Sequence, residues 1–318
     1  MNLTVGVRAN YWSLNKQALI GPRATFGYKP HWKRDFLFKF STGYYYQPPF
    51  YRELRDNKGI INTDLKAQTS IHFVLASDYN FTAWNRPFKF IAEAYYKYLD
   101  NIVPYDIDNV RIRYSAKNSA KGYAQGIDLK VNGEFVRGLE SWASVSLSQT
   151  QEDIKGDYYY DYITATNAAN VTTIVDSVRV EPGYIPRPTD QLVTFAIFFQ
   201  DQIPKYPDFK VHLNLLYGSG IPFGPPGSPK YLHTNRMSPY RRVDIGFSYQ
   251  PLKEGREIKP GSPTRVLKSV WISFEVFNLL GINNTVSYLW VEDVNNRQYA
   301  IPNYLTTRQV NLRLIVKF

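Results

Sequence analysis

The chain has 318 residues, a net charge of +11 and no cysteine, which excludes disulfide frameworks, thiolate zinc sites and cysteine nucleophiles. Nucleic-acid binding is not expected either, because Lys and Arg are spread along the chain and those of the 251–268 connection have no interleaved base-stacking rings. Aromatic residues make up 16% of the chain although the mean hydropathy is only −0.37, a combination typical of an outer-membrane β-barrel with an apolar outside, aromatic girdles and a polar interior.

Alternation of apolar and polar residues predicts twelve β-strands. No stretch approaches the roughly 18 consecutive apolar residues of a transmembrane helix, so a helical membrane protein is excluded. In chain order, the alternation covers residues 3–11, 20–29, 34–46, 65–79, 88–96, 122–132, 142–148, 190–200, 211–217, 243–249, 270–276 and 309–318. It is weaker at 20–29, 34–46, 65–79, 122–132 and 190–200.

Short and long connections alternate between the predicted strands. The short ones lie near 30–33, 80–86, 133–139 and 201–208, and the long ones near 47–64, 100–121, 152–189, 219–239 and 280–306. Two connections deviate, since 251–266 is longer and 13–19 shorter than its class predicts. Bacterial barrels have short periplasmic turns and long extracellular loops. A terminal strand that runs inward therefore places every long loop outside the cell.

The last strand ends the chain on an aromatic residue, whereas chain ends usually carry polar residues and fray. Its apolar face consists of Val310, Leu312, Leu314, Val316 and Phe318. We interpret these five residues as a barrel assembly signal, read by the outer-membrane assembly machinery. At the other end, Met1 is not followed by the basic and apolar regions of a signal peptide. The chain is therefore expected to lack its natural beginning.

Charged residues on the polar faces of the predicted strands indicate a wet or protein-filled interior. A Lys or Arg exposed to hydrocarbon at the midplane would cost roughly 2–4 kcal/mol. These charges line a lumen that holds a plug or guides solute, or they form ordinary lumen ion pairs. The set comprises Arg8, Arg23, Lys39, Glu93, Asp128, Lys130, Arg242, Asp244, Glu275 and Arg313.

No pattern in the sequence predicts an enzyme, a cofactor or a metal site. The four histidines, His31, His72, His212 and His233, are far apart and lack metal-ligand spacing. His72 and His212 fall on polar faces of predicted strands, where a histidine that lines the lumen is the simpler interpretation. The glycine-rich segment 218–227 contains prolines, which forbid the run of backbone N–H donors that cradles phosphate. The acidic residues of 152–161, interleaved with tyrosines, either bind a polar ligand or form a solvated loop.

Several strings together resemble TonB-dependent outer-membrane receptors of the Bacteroidetes type. They include Pro22-Arg23-Ala24, residues 44–54 (YYYQPPFYREL), residues 92–99 (AEAYYKYL), 218–226, residues 239–246 (PYRRVDIG), residues 275–280 (EVFNLL) and the terminal Phe318. The resemblance runs through the whole chain. It implies an active transporter in which an N-terminal plug domain fills the barrel and contacts the TonB protein.

The resemblance also sets an expectation about completeness. Barrels of this family have about 22 strands, so residues 1–318 are expected to form the C-terminal part of the barrel, with the plug absent. The predicted fold is all-β, an antiparallel transmembrane barrel segment with open edges at 3–12 and 309–318. The predicted function is uptake of a bulky nutrient across the bacterial outer membrane. The expected partners are the lipid bilayer with its lipopolysaccharide, the missing plug, TonB and the assembly machinery.

Two rival interpretations belong to different classes. One is a self-contained twelve-stranded porin or outer-membrane enzyme, in which residues 3–12 would pair with 309–318. The other is a secreted β-sandwich that binds glycan through its tyrosines. A sandwich exposes polar residues on one face of each strand to water, whereas here the aromatic residues cluster at strand ends.

Overall fold

One large antiparallel sheet dominates the computed structural model, which describes residues 1–166, 170, 172–203, 206–255 and 262–318. Within these ranges no helix is long and apolar enough to span a membrane. A single 3-10 turn covers Lys230–Leu232. The strands are β1 (Asn2–Trp12), β2 (Gln17–Tyr28), β3 (Asp35–Gln47), β4 (Gln68–Ala83), β5 (Arg86–Ile102), β6 (Tyr105–Asp108), β7 (Arg111–Tyr114), β8 (Ala120–Val136), β9 (Leu139–Ile154), β10 (Tyr159–Thr166), β11 (Thr172–Val180), β12 (Tyr184–Pro186), β13 (Val193–Ile203), β14 (Tyr206–Gly218), β15 (Pro222–Phe223), β16 (Asn235–Arg236), β17 (Tyr240–Leu252), β18 (Ser269–Phe277), β19 (Thr285–Glu292), β20 (Gln298–Tyr304) and β21 (Gln309–Lys317).

The large sheet is an up-and-down meander. Its strand order is β1-β2-β3-β4-β5-β8-β9-β13-β14-β17-β18-β21, and β12 adds a short pairing to β9. These twelve path strands correspond to the twelve predicted ones, so the all-β antiparallel fold is confirmed. We call them the wall.

The register aligns apolar residues of all twelve strands in continuous rows on one face. Phe40 lies opposite Leu75, and Leu75 lies opposite Ala94. Ala94 lies opposite Ile127, which in turn lies opposite Leu147. The same rows continue to the two outer strands, where Leu3 pairs with Phe26 and Phe274 with Leu312. Because side chains alternate with period two, a slip of one residue anywhere would break this continuity.

Aromatic residues mark both ends of this apolar face. Near the short turns, Tyr79 stacks on Phe81 at a ring separation of 5.2 Å, and Phe81 on Phe88 at 5.5 Å. Near the long loops, the rings of Tyr96 and Tyr123 lie 6.1 Å apart. The eight residue-to-residue steps from Phe88 to Tyr96 on β5 span about 26 Å along the strand. This separation matches the apolar band of an outer-membrane barrel, which is flanked by two aromatic girdles.

Two of the predicted short turns are tighter than the sequence predicts, whereas the connection predicted at 30–33 covers residues 29–34. The predicted connection 80–86 reduces to Trp84 and Asn85, whose φ angles of 49° and 57° are those of a type I′ hairpin turn. The predicted connection 133–139 reduces to two residues, with Gly138 at φ 77°. Backbone pairing continues up to the turn at Trp84 and Asn85, because a primed turn follows the twist of the strands it joins.

The long connections contain structure that alternation did not reveal. They carry the hairpins β6–β7, β10–β11 and β19–β20, together with the short pair β15–β16. The most deeply buried apolar residues lie at this end of the sheet, and Leu65, Ala67 and Val103 are each at most 1% exposed. The packed core therefore sits among the loops rather than behind the wall.

The outermost strands each have one partner. β1 pairs with β2 and β21 with β18, and no pairing joins β1 to β21 within the described ranges. Leu3 is 66% exposed and Leu312 is 72% exposed. The sheet is open, as predicted. The strand pairing therefore gives no support to the alternative interpretation, a self-contained twelve-stranded barrel.

Candidate functional site

The described parts of the five long connections, 48–67, 103–119, 155–192, 219–239 and 278–308, form what we call the loop cap. Its base is a buried carboxylate, since Glu152 at the end of β9 is 1% exposed. Arg187 Nε lies 3.1 Å from its Oε2, and Lys230 Nζ lies 3.3 Å from its Oε1. Lys230 also donates to the backbone oxygen of Tyr105 at 2.7 Å and lies 3.5 Å from Asp106 Oδ1. Glu152 and Lys230 together therefore connect three loops to the wall.

A second buried carboxylate, Asp190, is also 1% exposed. It pairs with Arg236 and accepts the backbone N–H of Thr150 at 2.6 Å. Arg236 donates to the backbone oxygen of Gly220 at 3.0 Å. A Cβ at Gly220 would collide with the backbone of Met237, so the glycine permits this close approach. The glycine-rich segment singled out in the sequence is therefore an ordered part of the loop cap.

A third contact holds the β19–β20 hairpin against β6–β7. Asn109, with φ 57°, forms the tip of the β6–β7 hairpin. Its Oδ1 accepts hydrogen bonds from Ser287 Oγ at 2.8 Å and from Asn303 Nδ2 at 2.5 Å. Ser287 is 1% exposed. These polar contacts join the two hairpins through residues that are 178 and 194 positions apart in the sequence.

These contacts enclose a cavity of 400 Å³, which we call the loop pocket. Its aromatic part consists of Phe223 and Tyr288, whose rings stack at 4.4 Å, and Trp290, whose ring lies 6.1 Å from Phe223. The polar lining comprises Asn57, Asp106, Asp108, Asn109, Arg113, Lys230 and His233, and Pro186, Pro188, Pro222 and Pro226 contribute rigid apolar surface.

The charges of the loop pocket cancel. Arg113 lies 2.5 Å from Asp108, and Lys230 lies 3.5 Å from Asp106. Burial lowers the pKa of His233 below its ordinary value of 6.5, and nearby Lys230 acts in the same direction, against the opposing effects of Asp106 and the Pro225 backbone. His233 is therefore neutral at neutral pH. No group of His, Asp and Glu in the described ranges could hold a metal ion.

Ser228 and His233 form a hydrogen bond beside the loop pocket, but they are not a catalytic pair. Ser228 Oγ lies 2.9 Å from His233 Nε2 and donates its own proton to the backbone oxygen of Pro225 at 2.7 Å. The imidazole consequently donates to the hydroxyl and does not take its proton. This arrangement positions the loop and does not activate a nucleophile.

The eight charges that we single out as lumen lining share the face opposite the apolar one. The register places Arg8, Arg23, Glu93, Asp128, Arg242, Asp244, Glu275 and Arg313 there, together with Lys39 and Lys130. We call this the polar face. That it lines a lumen remains a prediction.

Some of these charges contact one another and others do not. Arg242 Nε lies 2.7 Å from Asp244, and Arg313 lies 3.5 Å from Glu275. Glu93 lies directly opposite Asp128 on the neighbouring strand. In contrast, Arg8 lies on outer strand β1 opposite Gly21, and Arg23 stacks over the ring of Tyr45 at 4.2 Å.

Sequence reasoning missed a buried carboxylate of the polar face that pairs with two lysines. Asp78 is 7% exposed and lies 3.1 Å from Lys39 Nζ and 2.8 Å from Lys89 Nζ. The predicted strand 65–79 ends there, and β4 continues to Ala83. Asp78 therefore lies inside a strand rather than beside a turn.

Two histidines also lie on the polar face. His72 stacks on Tyr45 at 4.1 Å, and His212 Nε2 lies 3.8 Å from Glu275 Oε1. Gly246 lies between His212 and Glu275 in the register, and a Cβ there would collide with the imidazole. The glycine allows the ring to cross to the carboxylate.

The proposed assembly signal lies on the apolar face of β21. Val310, Leu312 and Leu314 are 65%, 72% and 64% exposed, and Val316 continues the row. Phe318 follows the last strand residue and is 73% exposed. No contact tests the assembly role, which stays a prediction.

The residues of the acidic, tyrosine-rich segment are divided among several separate contacts, and ligand binding by this segment stays a prediction. Glu152 is an internal anchor, Asp153 pairs with Lys121 at 3.2 Å, and Tyr159 stacks on Tyr231 at 4.8 Å. Tyr160 and Tyr162 are exposed on β10. The loop-pocket residues lie in segments predicted to be plain loops, and only tertiary contacts bring them together.

The family of the chain follows from a comparison with protein-family models. A model described as "TonB dependent receptor-like, beta-barrel" matches residues 1–279. The chain belongs to this family. Members of the family are outer-membrane proteins of Gram-negative bacteria and are not enzymes. The predicted family, localisation and lack of enzymatic function are thereby confirmed.

One solved structure, that of OprC, agrees at the level of the fold. The copper transporter OprC matches 94% of this chain at 11% identity with a TM-score of 0.54. The RagAB peptide transporter matches 87% at 12% identity with a TM-score of 0.42. The chain spans 39% and 41% of the lengths of these two proteins. No curated protein matches the chain.

Proposed function

We propose that the chain forms part of the wall and the ligand-gathering loops of an outer-membrane receptor that takes up a bulky nutrient. One observation carries this proposal. Continuous rows of apolar residues lie on one face of the twelve wall strands, and the charged residues of the polar face lie on the other. The long connections pack together at one end around a cavity. A bilayer requires the first feature, and capture of a solute from outside requires the second.

The width of the sheet supports transport of a large solute. Twelve strands leave β1 and β21 unpaired with each other, and lipid cannot satisfy the hydrogen bonds of an open edge. A closed barrel that contains this sheet therefore has more than twelve strands. Barrel diameter grows with strand number, and the largest barrels carry a plug. We infer that the polar face meets a plug domain and that the intact receptor is driven through TonB.

Deletion strains of the native bacterium test this function. Growth is compared over panels of carbon, nitrogen and metal sources for the wild type, for a strain lacking the receptor gene and for a strain lacking TonB. We expect the receptor deletion to lose growth on a nutrient that the TonB deletion also fails to use, and re-expression to restore it. Growth on that nutrient without TonB would contradict energised uptake.

A further inference from the structure

The loop pocket presents polar groups whose hydrogen bonds are not satisfied within the described residues. Asp106 and Asp108 each use one oxygen in an ion pair and leave the other available. The side-chain nitrogen of Asn109, the hydroxyl of Tyr288 and the indole N–H of Trp290 have no side-chain partner in the described ranges. Donors and acceptors are therefore both present, and the fixed charges around them cancel.

The apolar part of the loop pocket is made of flat and rigid groups. Phe223, Tyr288 and Trp290 provide ring surfaces, and Pro222 and Pro226 flank them. Aromatic rings and prolines lose little conformational entropy when a ligand binds. A matching ligand has a compact apolar face together with groups that both donate and accept hydrogen bonds, and it carries no charge.

We propose that the loop pocket binds a neutral sugar unit of an oligosaccharide, an inference that rests on the proposed uptake function. A sugar ring offers a C–H face to the aromatic residues, and each of its hydroxyls both donates to a carboxylate and accepts from an amide or indole N–H. The cavity of 400 Å³ lies near the lower end of ligand sites. It accommodates a short saccharide, and a longer one extends out of it.

Other ligand classes fit less well. An anionic or cationic ligand would need an unpaired opposite charge, but Lys230 and Arg113 already have carboxylate partners. A peptide that binds as an added strand needs a free strand edge of several residues. β15 and β16, which meet at the loop pocket, are only two residues long each.

Binding to the purified receptor in detergent tests the proposal. The probes are an array of neutral oligosaccharides, matched uronic-acid oligosaccharides and proline-containing peptides, with affinities measured by titration. We expect at least one neutral oligosaccharide to bind. Trp290→Ala should weaken that binding by at least about tenfold, as loss of a central aromatic anchor does. Tyr288→Phe keeps the ring and should cost only a few-fold.

Trp32→Ala is the matched control, because Trp32 is 61% exposed and lies among the short turns at the other end of the sheet. It should leave affinity unchanged, and heat-modifiable migration verifies that each variant is folded. The proposal is overturned if no neutral oligosaccharide binds, if only peptides or charged sugars bind, or if Trp290→Ala binds as well as the wild type. Sugar binding without TonB-dependent growth would instead retain the sugar site and reject the uptake function.

Discussion

The wall and the loop cap differ in how their side chains are accommodated. In the wall, the environment of a side chain depends on the face that it occupies. Leu147 on the apolar face is 50% exposed, as expected for a side chain that faces lipid. In the loop cap, Glu152, Asp190 and Ser287 are each 1% exposed, and named partners satisfy them. The wall should therefore respond to changes of polarity on either face, and the loop cap to the loss of single partners.

Disruption of the last wall strand should have the largest effect. Leu314→Asp combined with deletion of Phe318 places a charge on the apolar face of β21 and removes the terminal aromatic side chain. We expect the receptor to be depleted from the outer membrane, because an outer strand that cannot pair leaves the barrel open. Immunoblots of outer-membrane fractions, with and without heating, measure this. Arg313→Gln with an intact Phe318 is the control, and a normal heat-modifiable barrel in the double variant would rule out the assembly role.

Removal of the central loop-cap anchor should come next. Glu152→Ala leaves Arg187 and Lys230 without their shared carboxylate, and loss of one partner of a buried pair costs about 3–5 kcal/mol. The cost should open the loops while the wall persists. Trypsin cleavage of the loops in intact outer membranes should therefore accelerate by about two orders of magnitude or more.

Glu254→Ala is the matched control for that experiment, since the Glu254 side chain is 67% exposed and lies 4.0 Å from Lys317. It should leave the cleavage rate unchanged. If Glu152→Ala also leaves the rate unchanged, the loop cap does not depend on its buried charges, and the contrast with the wall disappears.

Within the wall, the two faces should differ by a smaller amount. Phe247 lies on the apolar face and Ser248 on the polar face, where its hydroxyl is 3.0 Å from that of Ser273. We expect Phe247→Arg to lower the free energy of unfolding by roughly 2–4 kcal/mol and Ser248→Arg to lower it much less. Reversible unfolding from lipid vesicles measures both. Equal losses would place the register off by one residue.

Acidification should have the smallest effect and should act on the loop cap. Burial lowers the pKa of His233 below 6.5 in the folded protein. The unfolded loop then binds more protons than the folded one below about pH 6.5, so stability is complete above that pH and declines as pH falls toward the lowered pKa. Trypsin sensitivity should rise a few-fold between about pH 7.5 and about pH 5.5, relative to a pH-insensitive reference substrate. His233→Gln should remove most of the rise, and an unchanged rise would assign it to another group.

The sequence by itself determined the wall. Alternation at Val243, Ile245 and Phe247 assigns those side chains to one face before any partner is known, because strand geometry repeats every two residues. Tight turns between long loops then fix the order of neighbouring strands. The strand number and the two outer strands followed from local pattern alone.

Tertiary structure decided the loop cap. Asn109 meets Ser287 only because two hairpins from distant parts of the chain lie at the same end of the sheet. In the sequence, Glu152 is one of several acidic residues near tyrosines, and nothing distinguishes it from them. The fold buries it between Arg187 and Lys230. Hydrogen bonds and ion pairs have no period in the sequence, since their geometry exists only once the strands have placed their loops together. The loop pocket with Phe223, Tyr288 and Trp290 could therefore be found only in the folded molecule.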